Sequence, residues 1–525
     1  MATSVIPRSK VGFNMAADFA SKVFSITLNI FIVPVYIRLL GAESYGLVGL
    51  WATTTVLFGL LDLGLSKTVN REVARLSADA SEREELRSTA RTLEVFYWIL
   101  GIVAGGGVIA SSHFLATQWV KPGHLSGDVV KGAMRLMGLV IACQWSTSFY
   151  SGVLVGLQRQ VLLSKLLVGC SILRGAGGCA VLWLVSPTIY TFFLWQMSMG
   201  VLQTALLVYV ARQALPGEPN AGRFHPACLF RIWRYAGGVT LLSLLGTVLT
   251  QVDKVVLSKC LSLESFGHYA LASSLASVVS LSAGSVANGI FPRLAQLYAV
   301  DGSTDKSPLT SVVYHKTCQV MSALVISPGL VFSWFSAELL RVWSGAPVVA
   351  PGMALSLALL SMGNAVNSVM VMPLMLQMAA GWTMLSVCKN VPAIVLVIPA
   401  MLLLTARYGA AGAASVWLGL NVAYFLFEPW MMHRRLLAGE LRQWYTEDVG
   451  RPFLGAFAVC ALSRVCMPQG PSIRLIVLWV SVTGVCTLAA AFLAARGGLE
   501  LARAFLLEVA DLRSRSRGPS VRAQR

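Results

Sequence analysis

Five charged residues interrupt the long apolar stretches of this sequence and are the positions best placed to do chemistry: Asp18, Lys22, Lys165, Arg174 and Lys389. An ionised side chain at the centre of a bilayer costs about 2.5–3.5 kcal/mol, so it turns toward a cavity or a partner. Arg174 lies in the middle of a predicted helix, and its guanidinium suits bidentate binding of phosphate, with an internal ion pair as the alternative. Lys165 is expected to extend its amine to the lipid headgroups. For Lys389 the sequence leaves two interpretations open, one at the membrane surface and one in a cavity.

Polar residues recur along the first apolar segment at spacings of four, four, three and four positions: Asn14, Asp18, Lys22, Ser25 and Asn29. This spacing puts them on one face of an α-helix. Such a face avoids lipid. It either lines a water-filled cavity or packs against another helix through an Asp18 to Lys22 pair, and the sequence leaves both interpretations open.

A second polar stripe runs along a predicted helix at residues 236–258 and consists of Thr240, Ser243, Thr247, Thr250 and Lys254. Hydroxyl groups of this kind also hold membrane helices together, which is the alternative interpretation. Two opposed polar stripes would form a hydrophilic cleft for a polar ligand. The substrate-binding candidates are therefore Asn14, Lys22, Asn29, Arg174, Ser243, Thr250 and Lys389.

Acidic residues near predicted helix ends form a further set, comprising Asp62, Asp253 and Glu428. We expect them to be exposed, because a charge at a helix end reaches water easily. Asp18, Asp62 and Asp253 are candidates for coupling to H+ or Na+. Another polar, kinked helix facing the cavity is suggested by Asn364, Asn367 and Gln377 around a proline.

The composition is that of a membrane protein, since 56% of the 525 residues are hydrophobic and only 12% are charged. At roughly 20 apolar residues per crossing, it predicts an all-α integral membrane fold of about fourteen transmembrane helices. The net charge of +18 is attributed to Lys and Arg in cytoplasmic loops and tails, and not to nucleic-acid binding. This placement of the basic residues predicts that both termini are cytoplasmic. The sequence has no Gly-rich phosphate loop, metal-ligand spacing or catalytic constellation, so we expect neither an enzyme nor a metal site nor a cofactor.

An internal repeat with an offset of 221 residues aligns the segment Arg38–Gly46 with Lys259–Gly267. Leu, Glu, Ser and Gly are identical at four of the aligned positions, which argues against chance hydrophobic similarity. The first helices of the two copies enter the membrane from the same side, so the repeat is parallel, about an axis along the membrane normal. The repeat predicts two six-helix lobes, at residues 1–211 and 236–432, joined by a cytoplasmic loop at residues 212–235. Two additional helices at residues 433–496 and a basic cytoplasmic tail at residues 497–525 follow.

The motifs of the first two predicted helices resemble a known family. The run Pro34–Gly46, followed by Leu61–Leu65 and Arg71–Arg75, is similar to the opening of bacterial polysaccharide flippases. These belong to the multidrug/oligosaccharidyl-lipid/polysaccharide (MOP) exporter superfamily. The segments Glu264–Tyr269 and Phe291–Ala295 carry the resemblance into the second half, and beyond the ninth helix it rests on helix number and hydropathy.

The resemblance implies a flippase that translocates undecaprenyl-pyrophosphate-linked oligosaccharide repeat units across the bacterial inner membrane by alternating access, for export of O-antigen, capsule or exopolysaccharide. Its implied partners are the lipid-linked oligosaccharide, membrane lipids, and a polysaccharide polymerase with its chain-length machinery. Three alternatives stay open: a cation-coupled drug or metabolite antiporter of the same superfamily, a membrane polysaccharide polymerase, and a non-transporting scaffold. The excess of cations within the helices argues against the antiporter, and the lack of a large periplasmic loop argues against the polymerase.

Overall fold

The computed structural model describes residues 8–62, 65–77, 82–216, 244–300, 308–344, 351–468, 470 and 472–495. Over these residues the chain folds into helices, and the described part contains no β-strand beyond an isolated parallel bridge between Lys121 and Ser262. The chain divides into two compact units, Met1–Leu271 with Val387–Ala410 and Ala272–Ser386 with Ala411–Arg525. The domain boundaries predicted from the repeat stay a prediction.

The described part of the first unit contains a run of helices in its N-terminal portion. These are α1 (Arg8–Gly59), α2 (Leu65–Leu76), α3 (Arg83–Phe114), α4 (Gly127–Trp145), α5 (Thr147–Gly156), α6 (Gln160–Leu184), α7 (Ile189–Ala214) and α8 (residues 244–260). The starts of α4 and α7 follow from their capping residues. The hydroxyl oxygens of Ser126 and Thr188 accept hydrogen bonds from the backbone N–H three residues ahead, at 3.4 and 3.3 Å, which satisfies a donor that the helix leaves unpaired.

Helix α1 is bent at Gly41, whose φ of +81° lies in the left-handed region that favours glycine. The bend separates α1 into two arms, which correspond to the first two predicted helices at residues 12–37 and 44–65. Just after it, the carboxylate of Glu43 accepts hydrogen bonds from three successive backbone N–H groups in the connection between α3 and α4, those of Gly123, His124 and Leu125, at distances from 2.6 to 3.3 Å.

The same connection also binds the start of helix α9 (Leu263–Ala276). The carbonyl oxygen of Lys121 accepts a hydrogen bond from the backbone N–H of Leu263 at 3.0 Å. The Lys121 ammonium donates to the carbonyl oxygen of Cys260 at 3.2 Å. One short segment thus holds both copies of the predicted repeat.

The two repeat segments contact each other where the second arm of α1 crosses α9. A Cβ atom on Gly46 would collide with the carbonyl oxygen of Leu263, and one on Gly267 would collide with that of Ala42. Ala42 and Leu263 are themselves related by the 221-residue offset, so the contact is reciprocal. The repeat therefore corresponds to a symmetric close crossing of two helices.

The apolar core of the first unit lies where α2 packs against α3 and α5. Helix α2 buries Leu65, Val69, Val73 and Leu76, whose spacing places them on one helix face. Tyr97 of α3 is completely buried in the same cluster. This core fixes the position of α3, which carries a charged cluster described below.

The second unit is built from the remaining helices and has a core of its own. These are the rest of α9, α10 (Leu281–Val300), α11 (Pro308–Trp334), α12 (Ser336–Ser344), α13 (Pro351–Val369), α14 (Val371–Ala379), part of α15 (Met384–Leu436), α16 (Leu441–Gln443), α17 (Arg451–Val465) and α18 (Ile473–Ala494). A π-helical turn, Trp444–Gly450, joins α16 to α17. The core includes Leu330, Met372, Met432, Trp444 and Ile476.

Ten helical segments among the described residues are long and apolar enough to cross a membrane. This confirms the predicted all-α, multi-pass membrane architecture, whereas the predicted number of fourteen helices is not confirmed by the count. One of the ten is α15, which has 53 residues and is divided into two arms at Gly409, where φ is +59°. Helix α17 has 15 residues and is shorter than the segments counted.

Candidate functional site

Arg174 lies in the middle of α6, and its side chain extends toward α7. Its Nη2 atom donates a hydrogen bond of 2.7 Å to Oε1 of Gln203. Its backbone carbonyl oxygen accepts hydrogen bonds from the Trp195 indole at 3.0 Å and the Tyr36 hydroxyl at 3.3 Å. The described partner of the guanidinium is thus an uncharged amide, which orients the cation without neutralising it.

The first arm of α1 packs closely against the helix that carries Arg174. The hydroxyl of Ser25, a member of the predicted polar stripe, donates to the Ser171 hydroxyl at 3.3 Å. A Cβ atom on Gly175 would collide with Ile32, and one on Gly178 would collide with the Tyr36 hydroxyl. The glycines after Arg174 therefore permit a close approach of α1 to α6.

Several predicted site residues lie outside what the structure describes, namely the side chains of Asn14, Asp18, Lys22 and Asn29, and residue Ser243. Their roles stay predictions. Thr250 is exposed on α8, and its hydroxyl donates to the Thr247 carbonyl oxygen at 3.1 Å. Lys389 is half-buried on the first arm of α15, and Lys165 is exposed on α6.

Asp62 precedes α2 and acts as its cap. One carboxylate oxygen accepts hydrogen bonds from the backbone N–H and the hydroxyl of Ser66, at 3.3 and 2.8 Å. The other accepts a hydrogen bond from the Tyr97 hydroxyl of α3. The carboxylate therefore joins α2 to α3, and its role in ion coupling stays a prediction.

The expectation that the acidic residues at helix ends are exposed is wrong for two of them. Asp253 is 6% exposed and Glu428 is 2% exposed, because each packs against a hydrogen-bonding partner. Asp253 accepts hydrogen bonds from the Tyr269 hydroxyl at 2.6 Å and from the Lys254 ammonium at 3.5 Å. Glu428 accepts one from the Gln377 amide at 2.8 Å.

The asparagines of α13 bond to neighbouring helices of the second unit. Asn364 donates to the Ala276 carbonyl oxygen at 3.0 Å and accepts from the Trp417 indole at 2.9 Å. Asn367 donates to the side-chain oxygen of Asn421 at 2.8 Å. The contacts described for these residues hold helices together, and their predicted orientation toward a cavity stays a prediction.

A charged cluster that the sequence reasoning missed surrounds Glu94 on α3. Its carboxylate accepts hydrogen bonds from Arg91 at 2.8 Å, Arg212 at 2.9 Å and the Tyr150 hydroxyl at 2.6 Å. The cluster borders a cavity of about 1070 Å³. The available signal in the sequence was the spacing of Arg91 and Glu94, which places the two side chains one helical turn apart.

A second missed cluster is centred on His315 of α11. Its two ring nitrogens contact Asp448 and, at 3.0 Å, Glu440, and both residues of the His315–Asp448 pair are buried. Gln319 donates to the other Asp448 oxygen at 2.9 Å. Asp448 lies between the candidate spans, where burial raises the pKa of its carboxyl and the His315 hydrogen bond opposes that effect only in part.

Solved structures with this fold are transporters and flippases. The chain is similar to the lipid II flippase MurJ in an inward closed conformation, with a TM-score of 0.66 at 11% identity over 91% of this chain and 97% of that protein. It is also similar to an inward-facing MATE family multidrug resistance transporter of the MOP superfamily, with a TM-score of 0.64 at 13% identity over 80% of this chain and 96% of the other. The chain therefore shares the helical membrane fold of these proteins.

A family model described as polysaccharide biosynthesis protein matches residues 12–298, more than half of the chain, and the chain belongs to this family. A putative O-antigen transporter of Shigella flexneri is 19% identical over 386 residues, which make up 72% of this chain and 87% of that relative. The resemblance to the MOP superfamily is thus confirmed. So is the prediction of a transporter or flippase instead of an enzyme.

Proposed function

We propose that this chain is a flippase that moves undecaprenyl-pyrophosphate-linked oligosaccharide repeat units from the cytoplasmic to the periplasmic leaflet of the bacterial inner membrane. The observation that carries the proposal is the family match over residues 12–298. The similarity to a putative O-antigen transporter and the fold shared with a lipid II flippase support a lipid-linked cargo.

Arg174 supplies the chemistry that such a cargo requires. A diphosphate that leaves the headgroup layer needs a compensating cation, and a guanidinium can bind it at two points. The hydrogen bond to Gln203 holds Arg174 in place and leaves its charge for the ligand. In this proposal Lys22 and Lys389 add positive charge, and the sugar hydroxyls contact Asn14, Asn29, Ser243 and Thr250.

The crossing of α1 and α9 is the contact that closes one end of the transport path. With both termini cytoplasmic, the contact between Gly46 and Gly267 lies toward the periplasm. Its separation during transport would open that side, as expected for a parallel repeat whose bundles move against each other. The inward conformations of the two similar structures support a protein closed at this end.

The transport cycle would be driven by an H+ or Na+ gradient through Asp18, Asp62 and Asp253. Tyr97 and Tyr269 donate hydrogen bonds to Asp62 and Asp253, so a coupling ion would compete with a phenol at each carboxylate. The periplasmic product would pass to a polysaccharide polymerase with its chain-length machinery.

A cation-coupled drug or metabolite antiporter is the second candidate. The fold likeness to a MATE multidrug transporter favours it, and so does the burial of Asp253, because ionisable residues within membrane helices mark substrate and ion pathways.

Deletion of the gene separates the two candidates. In the deletion strain we expect one surface polysaccharide to disappear while its lipid-linked repeat unit accumulates on the cytoplasmic face, and both changes should be reversed by the wild-type gene. Normal polysaccharide together with a new sensitivity to cationic drugs would overturn the flippase proposal in favour of the antiporter.

A further inference from the structure

The cavity beside Glu94 is distinct from the proposed transport path. Its walls are formed by the N-terminal part of α3 and the C-terminal half of α7, with residues of α4 and α5 at its floor. All of these helices belong to the first unit. Arg174 lies on α6, and neither it nor its α7 partner Gln203 lines the cavity, so the cavity requires an explanation of its own.

One end of this cavity is positively charged. It is lined by Arg87, Arg91 and Arg212 and by a single carboxylate, that of Glu94. Arg91 and Arg212 each donate one hydrogen bond to Glu94, yet their side chains are 52% and 61% exposed. Each guanidinium has five N–H donors, so both can bind a further anion at the cavity opening.

The rest of the cavity is apolar and extends along α7. Val201, Ala205 and Val208 lie on this wall, on the turns that precede Arg212. At 1.5 Å per residue, the wall from Arg212 to Val201 is about 16 Å long. This is close to the ~15 Å of hydrocarbon in one bilayer leaflet. The cavity thus has a charged head and an apolar body of lipid dimensions.

We propose that this cavity binds an anionic phospholipid of the cytoplasmic leaflet. The phosphate lies against Arg91 and Arg212, and an acyl chain lies along Val201, Ala205 and Val208. Basic pockets between transmembrane helices on the cytoplasmic side are suited to anionic headgroups. A zwitterionic lipid fits less well, because its ammonium would approach the same arginines.

The polar end favours a small headgroup over a diphosphate that carries a sugar chain. Arg87 lies across it and donates hydrogen bonds to the carbonyl oxygens of Leu215 and Pro216, at 2.8 and 2.9 Å. These bonds hold the segment after α7 against α3 at the charged end of the cavity. The proposal concerns lipid binding and stands independently of the transported substrate.

The test measures lipid binding by the purified full-length protein. Native mass spectrometry would compare phosphatidylglycerol, phosphatidylcholine and undecaprenyl diphosphate at equal concentration. We expect preferential binding of phosphatidylglycerol. The double variant Arg91→Gln with Arg212→Gln should bind it roughly 30-fold more weakly, from about 1 kcal/mol for each basic residue. The matched control, Arg83→Gln with Arg159→Gln, removes two exposed cations from the same unit and should bind like the wild type.

A second variant tests the apolar wall without changing charge. Ala205→Trp should fill the cavity and reduce phosphatidylglycerol binding at least tenfold, whereas Ala180→Trp, at an exposed position on α6, should not. These two variants still test the proposed lipid site if the double arginine variant fails to fold. Equal binding by Ala205→Trp and its control, or tighter binding of undecaprenyl diphosphate at the same arginines, would overturn the proposal.

Discussion

Gly46 and Gly267 occupy equivalent positions of the repeat, and each lies against the backbone of the residue four positions before the other. Because neither has a Cβ atom, the two helices approach until backbone meets backbone. Such close approach permits Cα–H to carbonyl contacts, which contribute about 0.5–1 kcal/mol each. The crossing is therefore sensitive to a single methyl group.

Gly267→Ala should destabilise the protein, because the added methyl would collide with the carbonyl oxygen of Ala42. We expect a loss of about 1–3 kcal/mol in the free energy of unfolding, as for other overpacked sites. Gly106→Ala is the control, since a Cβ atom there meets nothing within 4 Å. It should be neutral or stabilising, and thermal unfolding in detergent would compare the two. Equal effects would show that the crossing tolerates separation.

Gly49 and Ala270 allow the same crossing to be locked. They are also related by the 221-residue offset, and a Cβ atom on Gly49 would lie 2.7 Å from that of Ala270. A disulfide needs about 3.5–4.5 Å between Cβ atoms, so a small shift would accommodate one. In a background without the native cysteines, Gly49→Cys with Ala270→Cys should lose transport on oxidation and regain it on reduction. Transport by the fully cross-linked protein would rule out separation of this contact.

Arg174 should be required for transport but not for membrane insertion. Arg174→Ala should reduce transport roughly 10- to 100-fold, from the loss of a charged hydrogen bond worth about 1.5–3 kcal/mol. Arg174→Lys should be partly active, because an ammonium lacks the two-point fork. Lys165→Ala, at an exposed position on the same helix, is the control. Complementation and membrane protein level would be measured together, and wild-type export by Arg174→Ala would contradict the cationic site.

Gln203 gives a sharper test of the same cation. Gln203→Glu should give Arg174 a carboxylate partner and block transport, whereas Gln203→Met, which removes the acceptor without adding a charge, should retain partial activity. Because the glutamate keeps a hydrogen-bond acceptor for Arg174, a lower activity of Gln203→Glu than of Gln203→Met would be due to the added negative charge. Similar activity of the two variants would show that the free charge of Arg174 is not used.

His315 and Asp448 should stabilise the second unit as a pair. Asp448→Leu leaves the buried His315 imidazole with Glu440 but without its buried partner, and we expect a loss of about 3–5 kcal/mol in the free energy of unfolding. The double variant with His315→Leu should lose less than the sum of the single variants, because they remove one interaction. A double-mutant cycle in thermal unfolding measures this, and additive effects would mean that the two residues act independently.

Reporter fusions after Gly217 and after Arg513 test the predicted orientation. Both should report the cytoplasm, because most Lys and Arg residues lie in the loops assigned to that side. A fusion within the connection between α3 and α4 is the control and should report the periplasm. A periplasmic signal at either of the first two positions would require a different helix number.

Much of the fold could be predicted from local sequence. The apolar segments gave the helices, and the repeated Glu-Ser-aromatic-Gly motif indicated two related halves that the structure brings into contact at Gly46 and Gly267. The helix ends could not be predicted in the same way, because the sequence predicts breaks near Gly41 and Gly409, where the structure has continuous helices that bend without ending. A bend of this kind depends on φ at a single residue, which hydropathy does not register.

The candidate site was predicted only where a single residue carries the signal. Arg174 stands out because a cation in an apolar helix is costly. Glu94 and Arg212 are 118 positions apart, and His315 and Asp448 are 133 apart, so nothing local joins them. Asp253 was expected to be exposed because the sequence places it near a helix end. Its burial against the Tyr269 hydroxyl depends on how two helices pack, which the local sequence does not indicate.

The connection between α3 and α4 has a mechanical consequence. Three of its backbone N–H groups donate hydrogen bonds to Glu43, and its Lys121 forms hydrogen bonds with Leu263 and Cys260. The connection therefore links α1 to α9, and the two helices cannot separate while both sets of hydrogen bonds are intact. In the proposed transport cycle, each of these hydrogen bonds would add about 0.5–1.5 kcal/mol to the free energy needed to separate the two helices. The connection would thus oppose opening without contacting the transported lipid.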